Sequence, residues 1–66
     1  MNATEKAELR IEAVKALSAF LQGGGSAEWL AREIGKKPEA IGRWIAGQNL
    51  PTPRVAQKIL RVTSAA

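Results

Sequence analysis

The 66-residue chain contains no cysteine, histidine, aspartate or tyrosine. Without cysteine it forms no disulfide and no thiolate metal site. Without histidine and aspartate it lacks the commonest general bases, metal ligands and catalytic dyads. Glutamate and lysine remain, but no pair of them falls in a recognisable catalytic motif. We therefore expect a protein that is not an enzyme and that needs no metal or cofactor.

Long hydrophobic runs are also missing. No apolar stretch approaches the roughly 20 residues that a membrane-spanning helix requires, and no signal-peptide pattern follows Met1. Together with the absence of cysteine, this favours a soluble protein of a reducing cytoplasm. At this length only about 60% of the unfolded chain's surface can be buried. We expect a single domain over residues 1–66, with oligomerisation as one source of added stability.

Positive charge is concentrated in the second half of the chain. Residues 1–33 carry four Lys/Arg against five Glu, whereas residues 34–66 carry six Lys/Arg against Glu39 alone. A basic half indicates a surface directed at a polyanion. A charged surface that serves only solubility would produce the same pattern.

Glycine and proline divide the chain into segments with helical periodicity. Asn2, Ser26 and Thr52 are suitable N-caps, Gly35 suits a left-handed helix end, and Pro38 suits a first helical turn. The prediction is an all-α fold of four helices without strands, at about residues 3–22, 26–34, 38–46 and 53–63.

The first helix carries two apolar stripes. One contains Ala7, Ile11, Val14 and Leu21; the other contains Leu9, Ala13, Ala16 and Phe20, with Leu17 between them. So wide an apolar surface predicts a central helix buried on several sides. Alternatively, its N-terminal turns around Leu9 pack against another subunit.

The third helix has two distinct faces. At 100° per residue, Ile41, Trp44 and Ile45 lie on a side that must be buried. The opposite side carries Gly42, although glycine inside a helix costs about 1 kcal/mol relative to alanine. Either Gly42 lets this side approach another molecule closely, or it serves tight packing within the domain, or it results from neutral drift.

A short connection around Gly35 forces the second and third helices to cross steeply, as in helix-turn-helix units. The segment LAREIGKKPEAIGRWIAG is similar to the helix-turn-helix of the Cro/repressor (XRE-like) family. The segment LPTPRVAQKIL resembles the next helix of that family, and ELRIEAVKAL is more weakly similar to the first helix of phage lambda cII-type activators. The matching residues are Leu30-Ala31, Ile34-Gly35, Ile41, Trp44 and Gly47.

This resemblance implies a small lambda-repressor-like domain whose third helix enters the major groove of DNA. Arg43 would bind guanine in bidentate fashion. Glu39 would either accept a hydrogen bond from a cytosine amino group or repel DNA bound in a wrong register. Three positions depart from the usual family pattern: Lys36 replaces an apolar residue, Lys37 replaces a Ser/Thr cap, and Ala27 replaces a phosphate-contacting glutamine. The implied base-reading residues are Lys37, Pro38, Glu39, Gly42, Arg43 and Ala46. The implied phosphate contacts are Ser26, Lys36, Gln48, Asn49 and Arg54. For Lys37, a phosphate contact is the alternative to base reading.

A single module of this size binds DNA weakly, and the family usually pairs on two-fold sites. We therefore expect a homodimer on a pseudo-palindromic operator, with Leu9 and Trp29 at the dimer interface, although Trp29 alternatively lies over the first helix. The expected function is that of a transcriptional regulator, namely a repressor of phage or mobile-element type. We expect it to be cytoplasmic, nucleoid-associated when bound, and without a small-molecule ligand.

Two other functions compete with DNA reading. One is a helical protein-interaction module, an antitoxin or adaptor, favoured by Ala27 and by the small residues on the third helix. The other is attachment to a membrane surface through the basic fourth helix. Attachment is disfavoured because that helix lacks the bulky aromatic residues typical of interfacial helices.

Overall fold

The computed structural model describes residues 2–65 and places them in four helices. These are α1 (Ala3–Gln22), α2 (Ala27–Ile34), α3 (Pro38–Ile45) and α4 (Pro53–Ala65). The described residues contain no strand, so the all-α prediction is confirmed. Each predicted boundary lies within two residues of the observed one. None of the four helices is long and apolar enough to cross a bilayer.

The helix ends form through the local signals in the sequence. Asn2 Oδ1 accepts a hydrogen bond from Glu5 N at 2.8 Å, and Ser26 Oγ accepts from Trp29 N at 3.1 Å. At the end of α2, Gly35 adopts φ 74° and ψ 33°, a left-handed conformation that favours glycine. The Lys36 amide then donates to Ala31 O at 2.8 Å, which completes a Schellman motif.

All four helices contribute to one apolar core. Leu30, Ala31 and Ile34 of α2 fill the angle to α3, and Ile41 and Trp44 meet them from α3. The remaining buried side chains come from α1 and α4: Ala13, Leu17, Val55, Ala56 and Ile59. The core thus fixes the crossing of α2 and α3 predicted for the helix-turn-helix.

The prediction that α1 is buried on several sides is wrong for its N-terminal half. Ile11 is 45% exposed, and every residue from Ala3 to Glu8 is exposed. The reason is length, because α1 extends about 30 Å whereas its main packing partner, α4, extends only about 20 Å. The helix α4 begins beside Arg10 and therefore leaves the first turns of α1 uncovered.

The helices α1 and α4 run in the same direction. Arg10 of α1 contacts Pro51, just before α4, and further along α1 Ala16 and Phe20 share a shallow groove with Thr63. The loop that leads from α3 to α4 therefore lies beside the uncovered half of α1.

Candidate nucleic-acid interface

The outer face of α3 is solvent-exposed and poor in side chains. Pro38, Glu39, Gly42 and Arg43 are all exposed, as is Ala46 just beyond the helix. A Cβ atom placed on Gly42 would meet no atom within 4 Å. The explanation of Gly42 by tight packing within the domain is therefore wrong. The glycine instead leaves a flat surface facing outward.

Ile45 lies on this exposed side, contrary to the expectation that it is buried. It is 46% exposed, whereas Ile41 and Trp44 are buried and Ala40 is half-buried. Around the helix axis, Trp44 lies between Ala40 and Ile41 and marks the centre of the buried stripe. Ile45 lies about 100° away from Trp44 and therefore outside that stripe. As a result, the outer face is bordered by Arg43 on one edge and by Ile45 on the other.

Positive charge gathers at the turn before α3. Lys36 and Lys37 are exposed, and Lys37 occupies the N-cap position of α3 without capping it through its side chain. Together with Arg32 they border a cleft of about 350 Å³ between α2 and the start of α3, whose other lining residues are Glu28, Ala31 and Pro38. The helix dipole of α3 adds partial positive charge at the same place. An anion at this turn would meet three cationic side chains.

Arg32 is not among the site residues that the resemblance implies, and its spacing to Glu28 would allow an ion pair along α2. That pair does not form: within residues 2–65 the only salt bridge joins Lys15 and Glu12, at 3.6 Å. The spacing of four residues permits an ion pair but does not require one. Arg32 is left beside the two lysines of the turn.

The candidate phosphate contacts lie at four places: the start of α2, the turn before α3, the loop after α3, and the first turn of α4. Ser26 lies at the start of α2, where its oxygen caps the helix and its O–H group remains able to donate. Lys36 lies at the turn, whereas Gln48 and Asn49 lie in the loop that follows α3. Arg54 is exposed in the first turn of α4. The structure leaves all these groups accessible.

The two candidate dimer residues do not form one patch. Trp29 stacks on Phe20 of α1, with ring centroids 5.8 Å apart, and remains 40% exposed. Leu9 is half-buried and packs against the core. Eleven residues separate Leu9 from Phe20 along α1, which corresponds to about 16 Å. The prediction that Trp29 lies over the first helix is confirmed.

Comparison with known proteins agrees with this geometry. A family model described as helix-turn-helix matches residues 18–64, which is most of the chain. No significant match was found among curated proteins or among solved structures. The chain therefore belongs to the XRE-type helix-turn-helix family of DNA-binding domains. It is a DNA-binding regulator in the general sense of that family. The match begins at residue 18, so the likeness of residues 8–17 to cII-type activators stays a prediction.

Proposed function

We propose that the protein is a dimeric transcriptional repressor of phage or mobile-element type that reads operator DNA with α3. The outer face of α3 carries the proposal, because it combines an open glycine with a flanking arginine and is held in place by the buried Ile41 and Trp44. A helix with so few protruding side chains can lie deep in the major groove. The likeness of residues 8–17 to cII-type activators supports the phage origin.

In this proposal the outer face divides into reading and positioning groups. Arg43 donates two hydrogen bonds to guanine O6 and N7, and Glu39 accepts from a cytosine amino group. Gly42 and Ala46 allow the close approach, while Pro38 lies at the end of α3 that enters first. Phosphates are bound by Ser26, Lys36, Lys37, Gln48, Asn49 and Arg54, which fix the register without reading sequence.

Dimer formation would allow the protein to bind two half-sites of the operator at once. The small core favours association, and the half-exposed Trp29 offers an apolar surface of the kind found at interfaces. Sedimentation equilibrium would test this point. Trp29→Ala should weaken the dimer, whereas the equally exposed Ile11→Ala on the far part of α1 should leave it intact. A monomer at all concentrations contradicts the proposed dimer.

The experiment that tests the function is selection of bound duplexes from a random DNA pool, followed by affinity measurement across a salt series. We expect an enriched site with two half-sites related by a two-fold axis, and an affinity that falls steeply with salt. Absence of binding at low salt contradicts DNA reading altogether. Half-sites in direct repeat would contradict the two-fold dimer but not the reading helix.

The reading residue is tested separately on the selected site. Arg43→Ala should cost about 1–3 kcal/mol of binding free energy and relax the preference at one base position. The matched control Lys37→Ala should weaken all sequences about equally and lower the salt slope by about 1. Sequence preference that survives Arg43→Ala would assign the reading to another residue.

The second candidate function is a protein-interaction module, an antitoxin or adaptor. The exposed Trp29, which stacks on the half-buried Phe20, favours it, because aromatic residues are enriched at protein interfaces. Ala27, which stands where relatives carry a phosphate-contacting glutamine, points the same way. A protein that fails to bind DNA at low salt, yet forms a Trp29-dependent complex with a purified partner, would establish this function instead.

A further inference from the structure

Arg10 joins the N-terminal half of α1 to the loop 46–52 that follows α3. Its Nε donates to Pro51 O at 2.7 Å, and its Nη2 donates to Leu50 O at 3.4 Å. Among residues 2–65 these are the only side-chain hydrogen bonds between residues more than four positions apart. Arg10 therefore provides a long-range polar tie that the short-range capping bonds do not.

The loop has few other hydrogen bonds between its two ends. At its start, Gln48 N donates to Arg43 O at 3.0 Å, and at its far end Ala56 N donates to Thr52 O at 2.8 Å. Asn49 and Leu50 between them are exposed, whereas Pro51 is buried. The two carbonyl groups bound by Arg10 thus lie in the stretch that the helix ends do not fix.

The chemistry of these contacts is specific to arginine. A planar guanidinium presents several N–H groups in a fixed fork, so one side chain can serve two neighbouring carbonyls. A lysine ammonium keeps the charge but is a compact, strongly hydrated group without that fork. Arg10 is half-buried, and hydrogen bonds from charged donors contribute more than neutral ones.

We propose that Arg10 is a positioning residue for DNA binding, which holds the loop 46–52 so that Gln48 and Asn49 meet the phosphate backbone. The inference rests on the proposed function, because it uses the assignment of these two side chains to phosphates. It extends that function to a part of the chain that precedes the family match at residues 18–64. The uncovered half of α1 thereby acquires a role in the DNA-binding surface.

Loop order in the free protein is the first test. Backbone order parameters of Gln48, Asn49 and Leu50 should fall from a rigid value of about 0.85 towards 0.6 in Arg10→Lys. The control Lys6→Ala removes a cation from α1 without touching the loop, and should leave these values unchanged. A loop that stays rigid in Arg10→Lys overturns the inference, whatever the DNA results are.

DNA affinity is the second test, measured where thermal melting shows each variant to be fully folded. Arg10→Lys should weaken binding about fivefold to tenfold, the size expected of coupling between neighbouring groups. The salt slope should not change, because the charge is kept. In the Gln48→Ala, Asn49→Ala background, Arg10→Lys should cost much less. Unchanged affinity in Arg10→Lys overturns the inference.

The two tests separate failure of the inference from failure of the proposed function. If the Gln48→Ala, Asn49→Ala variant binds DNA as the unsubstituted protein does, the phosphate assignment of these two side chains is wrong. If Arg10→Lys nevertheless increases the mobility of the loop and weakens DNA binding, Arg10 positions the backbone of the loop rather than these two side chains. If affinity falls in Arg10→Gln but not in Arg10→Lys, the arginine acts through its charge and the inference is overturned.

Discussion

The helix pair α2–α3 and the long helix α1 bury their apolar residues to different extents. In α2 and α3, which have eight residues each, Leu30, Ala31, Ile34, Ile41 and Trp44 are at most 6% exposed. In α1, with 20 residues, only Ala13 and Leu17 are fully buried. The pair buries one narrow stripe completely, and outside that stripe it leaves Trp29 and Ile45 exposed among polar and small residues. The long helix spreads a wider apolar surface that its neighbours only partly cover.

This difference separates two tasks. In the proposed function α3 is the recognition helix, which must be held rigidly because a base contact tolerates little error in position. Full burial of one stripe achieves this while leaving the opposite face free for DNA. The helix α1 instead packs mainly against α4, and its N-terminal half reaches the loop 46–52 through Arg10. The least buried part of the helices is thus the N-terminal half of α1.

The largest expected effect is on stability, and it distinguishes the two regions directly. Leu30→Ala removes a fully buried side chain from α2 and should lower the free energy of unfolding by about 2–5 kcal/mol. Ile11→Ala trims an exposed side chain of α1 and should change it by about 0.5 kcal/mol or less. Urea denaturation of both variants measures the difference.

The comparison would be contradicted if Ile11→Ala lowered the free energy of unfolding by a large amount. Such a loss at high protein concentration, absent on dilution, would mean that the N-terminal half of α1 is covered in an oligomer. A small loss on Leu30→Ala would mean that the crossing of α2 and α3 depends less on packing than its burial indicates.

Local signals in the sequence were sufficient for the helix pair. The Ser26 cap, the left-handed Gly35 and the N-terminal Pro38 each act within a few residues, and all three occupy the predicted places. Burial of Leu30, Ile34, Ile41 and Trp44 follows from helical periodicity alone. For the same reason the exposed outer face, with Gly42 and Arg43, could be predicted.

What the sequence did not predict depends on distance and on the exact angle between elements. The bond from Arg10 to Pro51 spans 41 residues, and no local pattern marks either partner. Ile45 lies at the edge of a stripe, where a modest rotation of α3 decides between burial and exposure. Whether Arg32 forms an ion pair with Glu28 depends on the conformations of both side chains, which their spacing of four residues does not determine. The roles of the candidate site residues on DNA stay predictions.

A smaller effect is expected at the outer face of α3, where one substitution should raise stability and lower the affinity for DNA. Gly42→Ala should stabilise the free protein by about 1 kcal/mol, because alanine favours the helix and its Cβ meets no neighbour. The same methyl group should weaken DNA binding by about 1–3 kcal/mol if α3 lies close to the bases, as overpacking does elsewhere. Thermal melting and DNA titration measure the two terms.

The matched control is the reverse exchange at an exposed position of α1. Ala7→Gly should cost about 1 kcal/mol of stability and leave the affinity for DNA unchanged. If Gly42→Ala raised the stability of the protein without weakening DNA binding, close approach of this face to DNA would be contradicted. The contrast between the two regions would then rest on packing alone.

The smallest effect concerns the helix N-termini. Asn2 caps α1 through its side chain, whereas Lys37 occupies the same position in α3 without such a bond. Lys37→Ser should therefore stabilise the free protein by about 0.5–1 kcal/mol. It should at the same time reduce affinity for all DNA sequences and lower the salt slope by about 1, since one phosphate contact is lost. Asn2→Ala, the control, should lower stability by a similar amount and leave the salt slope as it is. A serine at position 37 that stabilises α3 and leaves the salt slope unchanged would show that the lysine contacts no phosphate, and would move the cationic part of the interface to Lys36 and Arg32.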